Sequence, residues 1–151
     1  MYDRILVATD GSENAADAID EAAALADATD ATLHGIYVIE TRTAYDNAIV
    51  DPDEVERTLR EDGEEALAAL EERAAETGVE AETAIRKGVP HEEILDYAAD
   101  HDVDLVVIGA TGRSAFKTVL LGSTAERVLR RATRPVLVIG AEEGEAFDEQ
   151  P

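Results

Sequence analysis

The feature that most constrains the fold is a regular alternation of short apolar runs with longer amphipathic segments. Five runs rich in Val, Ile and Leu predict strands, and the segments between them carry apolar residues at helical spacing. The predicted strands cover residues 2–9, 32–39, 79–85, 104–108 and 134–139. The predicted helices cover 15–29, a long segment after residue 51 that Gly78 ends, a segment that begins at Pro90, and 123–132. Because parallel neighbours need crossover connections, this order predicts a mainly parallel sheet with helices on both faces.

The length and composition predict one domain. The chain has 151 residues, of which 45% are apolar, enough for a hydrophobic core. We expect the domain to cover residues 1–140, because residues 141–151 are acidic and almost devoid of apolar side chains, a composition typical of a disordered tail. Residues 40–51 lack periodicity and form the longest predicted loop, and the length and position of residues 41–50 suggest a lid.

Several classes of site and location are disfavoured by composition. The chain has no Cys, which excludes disulfides and thiolate metal sites. No apolar stretch approaches the roughly 18–20 residues that a membrane span needs, and the first residues enter a strand without a basic region. We therefore expect a soluble, cytoplasmic protein that does not contact a membrane.

The net charge of −22 has two explanations. One is an acidic surface that binds a partner, and the other is a surface adapted to a very salty cytoplasm, where a Debye length of about 3 Å at molar salt screens self-repulsion. The acidic residues are spread along the predicted helices, which favours the halophilic explanation. Either surface would repel nucleic-acid phosphates, so we expect no binding to DNA or RNA.

A glycine-rich segment follows the fourth predicted strand. Gly109 and Gly112 lack a Cβ atom, so a ligand can approach their backbone closely. Gly122, Ser123 and Thr124 open the last predicted helix, where free N–H groups, two hydroxyls and the helix dipole favour an anion. This combination predicts a cradle for phosphates.

The charge of this segment agrees with an anion site. Residues 109–134 hold six basic side chains and one acidic side chain, Glu126. Arginines that offset a helix dipole would explain Arg130 and Arg131 without any ligand, but they would not explain Arg113 and Lys117 in the loop. Arg113 is therefore a candidate phosphate contact.

Other candidate sites have weaker support. The Walker and dinucleotide-binding glycine patterns are both missing. His34, His91 and His101 lack metal-ligand spacing; we expect the first in or beside a strand and the others at the surface near helix ends. No residue stands out as catalytic, and Asp10 before Gly11 is either a turn residue or a ligand contact.

The pattern G-x2-G-x9-G-[ST], formed by Gly109, Gly112, Gly122 and Ser123, resembles the ATP-binding signature of the universal stress protein family. The resemblance covers nearly the whole chain and includes ILVATDGS, GVPHEEIL, DLVVIGATGRS and GSTAERVLRRATRPVLVIG. It implies a three-layer α/β/α domain with a five-stranded sheet in the order 3-2-1-4-5. It also implies that Asp10 and the Val38 backbone contact adenosine and that Gly109 lies against the ribose. The phosphates would lie against the remaining matched positions: Gly112, Gly122, Ser123 and Thr124.

The resemblance further implies an ATP-binding stress or regulatory protein. The motif does not count phosphates, so ADP and AMP stay alternative ligands. Mg²⁺ bridging the phosphates is the expected metal, since it keeps several waters and needs few protein ligands. A slow ATPase using the same site, or a dimerisation module that has lost nucleotide binding, remain alternative functions. Similar proteins form homodimers through the last strand, here Pro135 to Ile139, whose apolar edge needs covering. The sequence does not identify a protein partner.

Overall fold

The computed structural model describes residues 2–40, 51–112 and 121–140. Five strands and four helices alternate along this part of the chain: β1 (Arg4–Ala8), α1 (Glu13–Thr29), β2 (Thr32–Glu40), α2 (Pro52–Thr77), β3 (Ala81–Gly88), α3 (Pro90–Asp100), β4 (Leu105–Gly109), α4 (Ser123–Arg131) and β5 (Val136–Ile139). All pairs of neighbouring strands are parallel, in the order β3-β2-β1-β4-β5. The predicted fold class and sheet order are confirmed.

The core lies in two layers, one on each face of the sheet. Successive residues of β1 point to opposite faces, so Ile5 and Val7 pack with α1 and α2, whereas Leu6 packs with α3 and α4. All three side chains are fully buried. A strand buried on both faces reads as a continuous apolar run, which is why residues 5–7 lack alternation.

The helix ends follow from local side-chain chemistry. Ser12 caps α1, since its hydroxyl accepts a hydrogen bond from the Ala15 N–H at 3.1 Å. Gly78 follows α2 with a φ of 74°, a left-handed conformation that glycine adopts without strain. The predicted end of this helix at Gly78 is therefore confirmed. None of the described helices is both long and apolar enough to cross a membrane.

The third strand differs from its prediction. It begins at Ala81 and continues to Gly88, whereas the alternation of apolar residues indicated 79–85. Val79 precedes the strand because its N–H donates to the Ala74 carbonyl at the end of α2. The strand extends further because β2 offers backbone partners as far as Glu40, which lies opposite Gly88. The suggested lid at 41–50 and the tail at 141–151 lie outside the described residues.

His34 lies inside β2, as expected, and is 2% exposed. Its Nδ1 lies 2.7 Å from the Tyr97 hydroxyl, and its Nε2 lies 3.8 Å from a carboxylate oxygen of Glu82. Burial lowers the pKa of His34; the nearby Glu82 opposes this, while His101 and Arg4 lower the pKa further. The folded protein therefore favours a neutral imidazole at this position.

This lowered pKa predicts a loss of stability in mild acid. Below about pH 6.5 the unfolded chain takes up a proton at His34 before the folded chain does, so the free energy of unfolding falls as the pH decreases. The slope contributed by one proton is at most about 1.4 kcal/mol per pH unit, and it vanishes below the folded-state pKa. Urea unfolding of the wild type and of His34→Gln between pH 7.5 and 5.5 measures this slope. We expect a shallower slope in the variant, and equal slopes would contradict this assignment.

Candidate functional site

A crevice opens at the carboxyl ends of β1 and β4. These strands are neighbours at the centre of the sheet, and the helices that follow them pack on opposite faces, α1 with one core layer and α4 with the other. Ligands of open α/β sheets bind where the connections diverge in this way. The crevice has a volume of about 650 Å³, within the ~300–1,000 Å³ range of small-molecule sites.

Every predicted site residue that the structure describes lines this crevice: Asp10, Val38, Gly109, Gly112, Gly122, Ser123 and Thr124. These residues come from three strand ends, one loop and one helix start, so the fold brings together positions separated by more than half of the chain. Arg113 lies outside the described residues.

A smaller hollow of about 340 Å³ lies beside the first, between α1 and α2. It shares Thr9 and Asp10 with the crevice, but Asp62 and Glu65 also line it. These carboxylates disfavour a phosphate group by like-charge repulsion. The larger crevice is the candidate site for an anionic ligand.

Asp10 and Gly112 meet across the crevice. One carboxylate oxygen of Asp10 accepts a hydrogen bond from the Ser12 N–H at 3.0 Å, so Asp10 has the turn-forming role considered for it. The other oxygen lies against Gly112, where a Cβ atom would collide with it. The missing side chain at Gly112 therefore permits the loop after β4 to approach the end of β1.

Gly122 joins the same loop to the start of α4. Its N–H donates a hydrogen bond to the Ala110 carbonyl, and a Cβ atom at Gly122 would lie 3.2 Å from that carbonyl oxygen. Gly122 offers α4 no side-chain cap. Within the described residues, the N–H groups of Ser123, Thr124 and Ala125 have no hydrogen-bond acceptor, so the first turn of α4 presents free donors next to the crevice.

Asn14 is a positioning residue that the sequence interpretation missed. Its Nδ2 donates to the carbonyl and the hydroxyl oxygens of Thr111, at 3.1 and 3.0 Å. A Cβ atom at Gly109 would lie 3.2 Å from the Asn14 carbonyl oxygen, so the close approach that Gly109 permits is to α1. Asn14 thus fixes the glycine loop to the first helix. The sequence carries no signal for this contact, because it joins residues 97 positions apart.

His91 corrects the expectation of a surface residue, since it is only 6% exposed. It lies in the first turn of α3 on the side that packs against α4, and its Nε2 lies 3.2 Å from an Arg131 guanidinium nitrogen. Desolvation lowers the pKa of His91 and Arg131 adds to the effect, while Glu92 opposes it. A neutral His91 can therefore accept the hydrogen bond that Arg131 donates.

Metal binding by side chains has little support in this part of the chain. Among residues 2–40, 51–112 and 121–140, no three or more His, Asp or Glu side chains are arranged to hold a metal ion. A divalent cation at this site would depend mainly on ligand phosphates and water, as Mg²⁺ commonly does.

Comparison with known proteins gives a consistent result. The sequence profile of the universal stress protein family matches residues 1–140. The universal stress protein MJ0531 of Methanocaldococcus jannaschii is 36% identical over 140 residues, covering 92% of this chain and 82% of that protein. The structure of MJ0577 from the same organism superimposes with a TM-score of 0.84 at 30% identity, over 94% of this chain and 98% of that one.

Two further similar structures contain an adenine nucleotide. A universal stress protein in complex with cAMP has a TM-score of 0.67 at 27% identity and covers 92% of this chain and 97% of its own. The Archaeoglobus fulgidus protein in complex with dAMP has a TM-score of 0.63 at 25% identity, with coverages of 91% and 98%. Profile, sequence identity and fold agree along nearly the whole chain, and the protein belongs to the universal stress protein family.

Proposed function

We propose that this protein binds ATP in the crevice at the ends of β1 and β4 and acts as a nucleotide-dependent regulator in the cytoplasm. One observation carries the proposal. The sequence predicts nucleotide contacts at seven described positions in four separate parts of the chain. All seven line a single crevice of suitable volume next to free N–H donors.

The lining chemistry supports an orientation of the nucleotide. Val38 offers apolar surface to a base, and Asp10 contributes a carboxylate that can accept hydrogen bonds from ribose hydroxyls. The first turn of α4 offers backbone donors and the hydroxyls of Ser123 and Thr124 to phosphates. Mg²⁺ would be held by the phosphates and water.

The related complexes support an adenine nucleotide, because their ligands are cAMP and dAMP. Both ligands carry one phosphate, so the preference for ATP over ADP or AMP is our own proposal. It rests on the number of donors at the start of α4, where the free N–H groups of the first turn and the hydroxyls of Ser123 and Thr124 lie next to the crevice.

The small molecules that copurify with the protein test this function. Purification in molar KCl, denaturation and mass analysis of the released small molecules should yield an adenine nucleotide at a substantial fraction of one per chain. Phosphate release from the purified protein with Mg-ATP then separates a binding protein, which we expect, from a slow ATPase. Release of a different class of small molecule in stoichiometric amount would contradict the proposal.

We also propose a homodimer that pairs β5 with its symmetry copy. The four residues of β5, Val136 to Ile139, are apolar but only partly buried, and the strand lies at the edge of the sheet. An unprotected apolar edge strand tends to pair with another strand. We expect light scattering at high salt and micromolar protein to give twice the chain's mass, and monomer mass would exclude this assembly.

The acidic surface leads to a proposal about salt. Within the described residues, the buried polar side chains are Thr9, His34 and His91, so the carboxylates lie outside the core. We expect the melting temperature of nucleotide-free protein to fall by roughly 10 °C or more between molar KCl and dilute buffer, since self-repulsion grows as screening weakens. A melting temperature that does not change would contradict adaptation to a salty cytoplasm.

A further inference from the structure

The basic residues of α4 and of the turn after it differ in what they contact. Arg130 pairs with Glu126 at 3.0 Å, and Arg131 donates to His91. Arg134 donates to the Val103 carbonyl at 2.7 Å. Within the described residues, Arg127 makes no hydrogen bond or ion pair. It is exposed, and it lines the crevice.

The position of Arg127 on α4 directs its charge toward the start of the helix. Arg127 follows Ser123 by four residues, so both lie on one face, about 6 Å apart along the axis. Long side chains on a helix lean toward its N-terminus, which brings the guanidinium toward the free N–H groups of the first turn. A phosphate chain that extends past these donors would meet Arg127.

The other side chains that line the crevice supply no positive charge for a phosphate within the described residues. Asp10 and Glu40 contribute carboxylates, while burial and the nearby Arg131 and Arg127 lower the pKa of His91 and so favour its neutral form. Arg127 is therefore the one cationic side chain among the described residues that line the crevice. In a chain with a net charge of −22, a ligand with several phosphates needs such a local cation more than a monophosphate does.

We propose that Arg127 sets the phosphate number of the ligand by pairing with phosphates beyond the first, so that the site prefers ATP and ADP to AMP. The inference rests on the proposed nucleotide function and extends it to specificity. Arginine suits this role because its planar fork binds phosphate oxygens at two points.

Calorimetric titration of nucleotide-free protein with ATP, ADP and AMP tests the inference, at one fixed KCl concentration and without added metal. We expect Arg127→Gln to weaken ATP binding about 10- to 100-fold and AMP binding about threefold or less, because only the longer ligand loses a charge-assisted hydrogen bond. Arg127→Lys should recover part of the lost ATP affinity. Arg130→Gln is the matched control on the same helix, and it should leave all three affinities unchanged.

The outcomes separate this inference from the function on which it rests. An equal loss of ATP and AMP affinity in Arg127→Gln, or no loss for either, overturns the specificity role while leaving the nucleotide site intact. A wild type that binds none of the three nucleotides overturns both. The urea midpoint of Arg127→Gln should stay close to that of the wild type, since the side chain is exposed and makes no hydrogen bond or ion pair with the described residues.

Discussion

Replacing Gly122 by valine together with Ser123 by alanine is expected to weaken ATP binding by about 100-fold or more. A side chain at Gly122 would collide with the Ala110 carbonyl and with Thr111. This collision would push the loop after β4 away from the start of α4. The alanine removes a hydroxyl next to the crevice. A lost hydrogen bond to a charged group costs ~1.5–3 kcal/mol, so two such losses reach this factor. Calorimetric titration of nucleotide-free variant and wild type measures it.

The matched control is Gly140→Val. A Cβ atom at Gly140 would meet no atom within 4 Å, and the residue does not line the crevice. This variant should bind ATP as the wild type does. The backbone at Gly122 has a φ of −72°, which any residue adopts, so the double variant should remain folded. Wild-type affinity in the folded double variant would remove Gly122 and Ser123 from the site.

The second large effect is expected where α2 crosses β2. Gly35 lies under Leu70, which is fully buried, and a Cβ atom at Gly35 would overlap the Leu70 side chain. We expect Gly35→Ala to lower the free energy of unfolding by about 1–3 kcal/mol through overpacking. Leu70→Ala should lower it by about 2–5 kcal/mol through the cavity that it leaves.

The double variant distinguishes close packing from independent effects. The new methyl group at residue 35 would enter the space that Leu70 vacates, so the combined loss should be smaller than the sum by about 0.5–3 kcal/mol. Urea unfolding of the wild type, the two single variants and the double variant in molar KCl gives the free energies for this double-mutant cycle. Additive losses would show that Gly35 does not serve the close approach of α2.

The fold could be predicted because its signals are local and repeated. The apolar runs of β1 and β4 and the helical spacing of α1 and α2 each identify an element within one segment, and their alternation restricts the sheet to parallel pairing. The bounds of β3 were less accurate, because its last residues are ordered by pairing with β2 and carry no alternation of their own.

The candidate site could be predicted in part for the same reason. The glycine spacing from Gly109 to Gly122 is a continuous sequence pattern, and the structure explains its three glycines by close contacts with Asn14, Asp10 and Ala110. Asn14, which fixes the loop, acts across 97 residues, and no sequence pattern links it to Thr111.

The partners of the basic residues could not be predicted from a count of charges. In the sequence, the cations between residues 109 and 134 form one group, and helix-dipole compensation is an alternative explanation for two of them. The structure assigns separate partners to Arg130, Arg131 and Arg134 and leaves Arg127 at the crevice. Burial of His91 determines part of this arrangement, and that burial depends on how α3 packs against α4.

The central claim, that the crevice is an adenine-nucleotide site, is tested most directly by titrating nucleotide-free wild-type protein with Mg-ATP in molar KCl. We predict saturable binding with one ATP per chain and a dissociation constant well below millimolar. No heat of binding and no shift in melting temperature up to millimolar ATP, with the protein folded, would contradict the claim. The chain would then be a family member that keeps the glycine cradle without using it for a nucleotide.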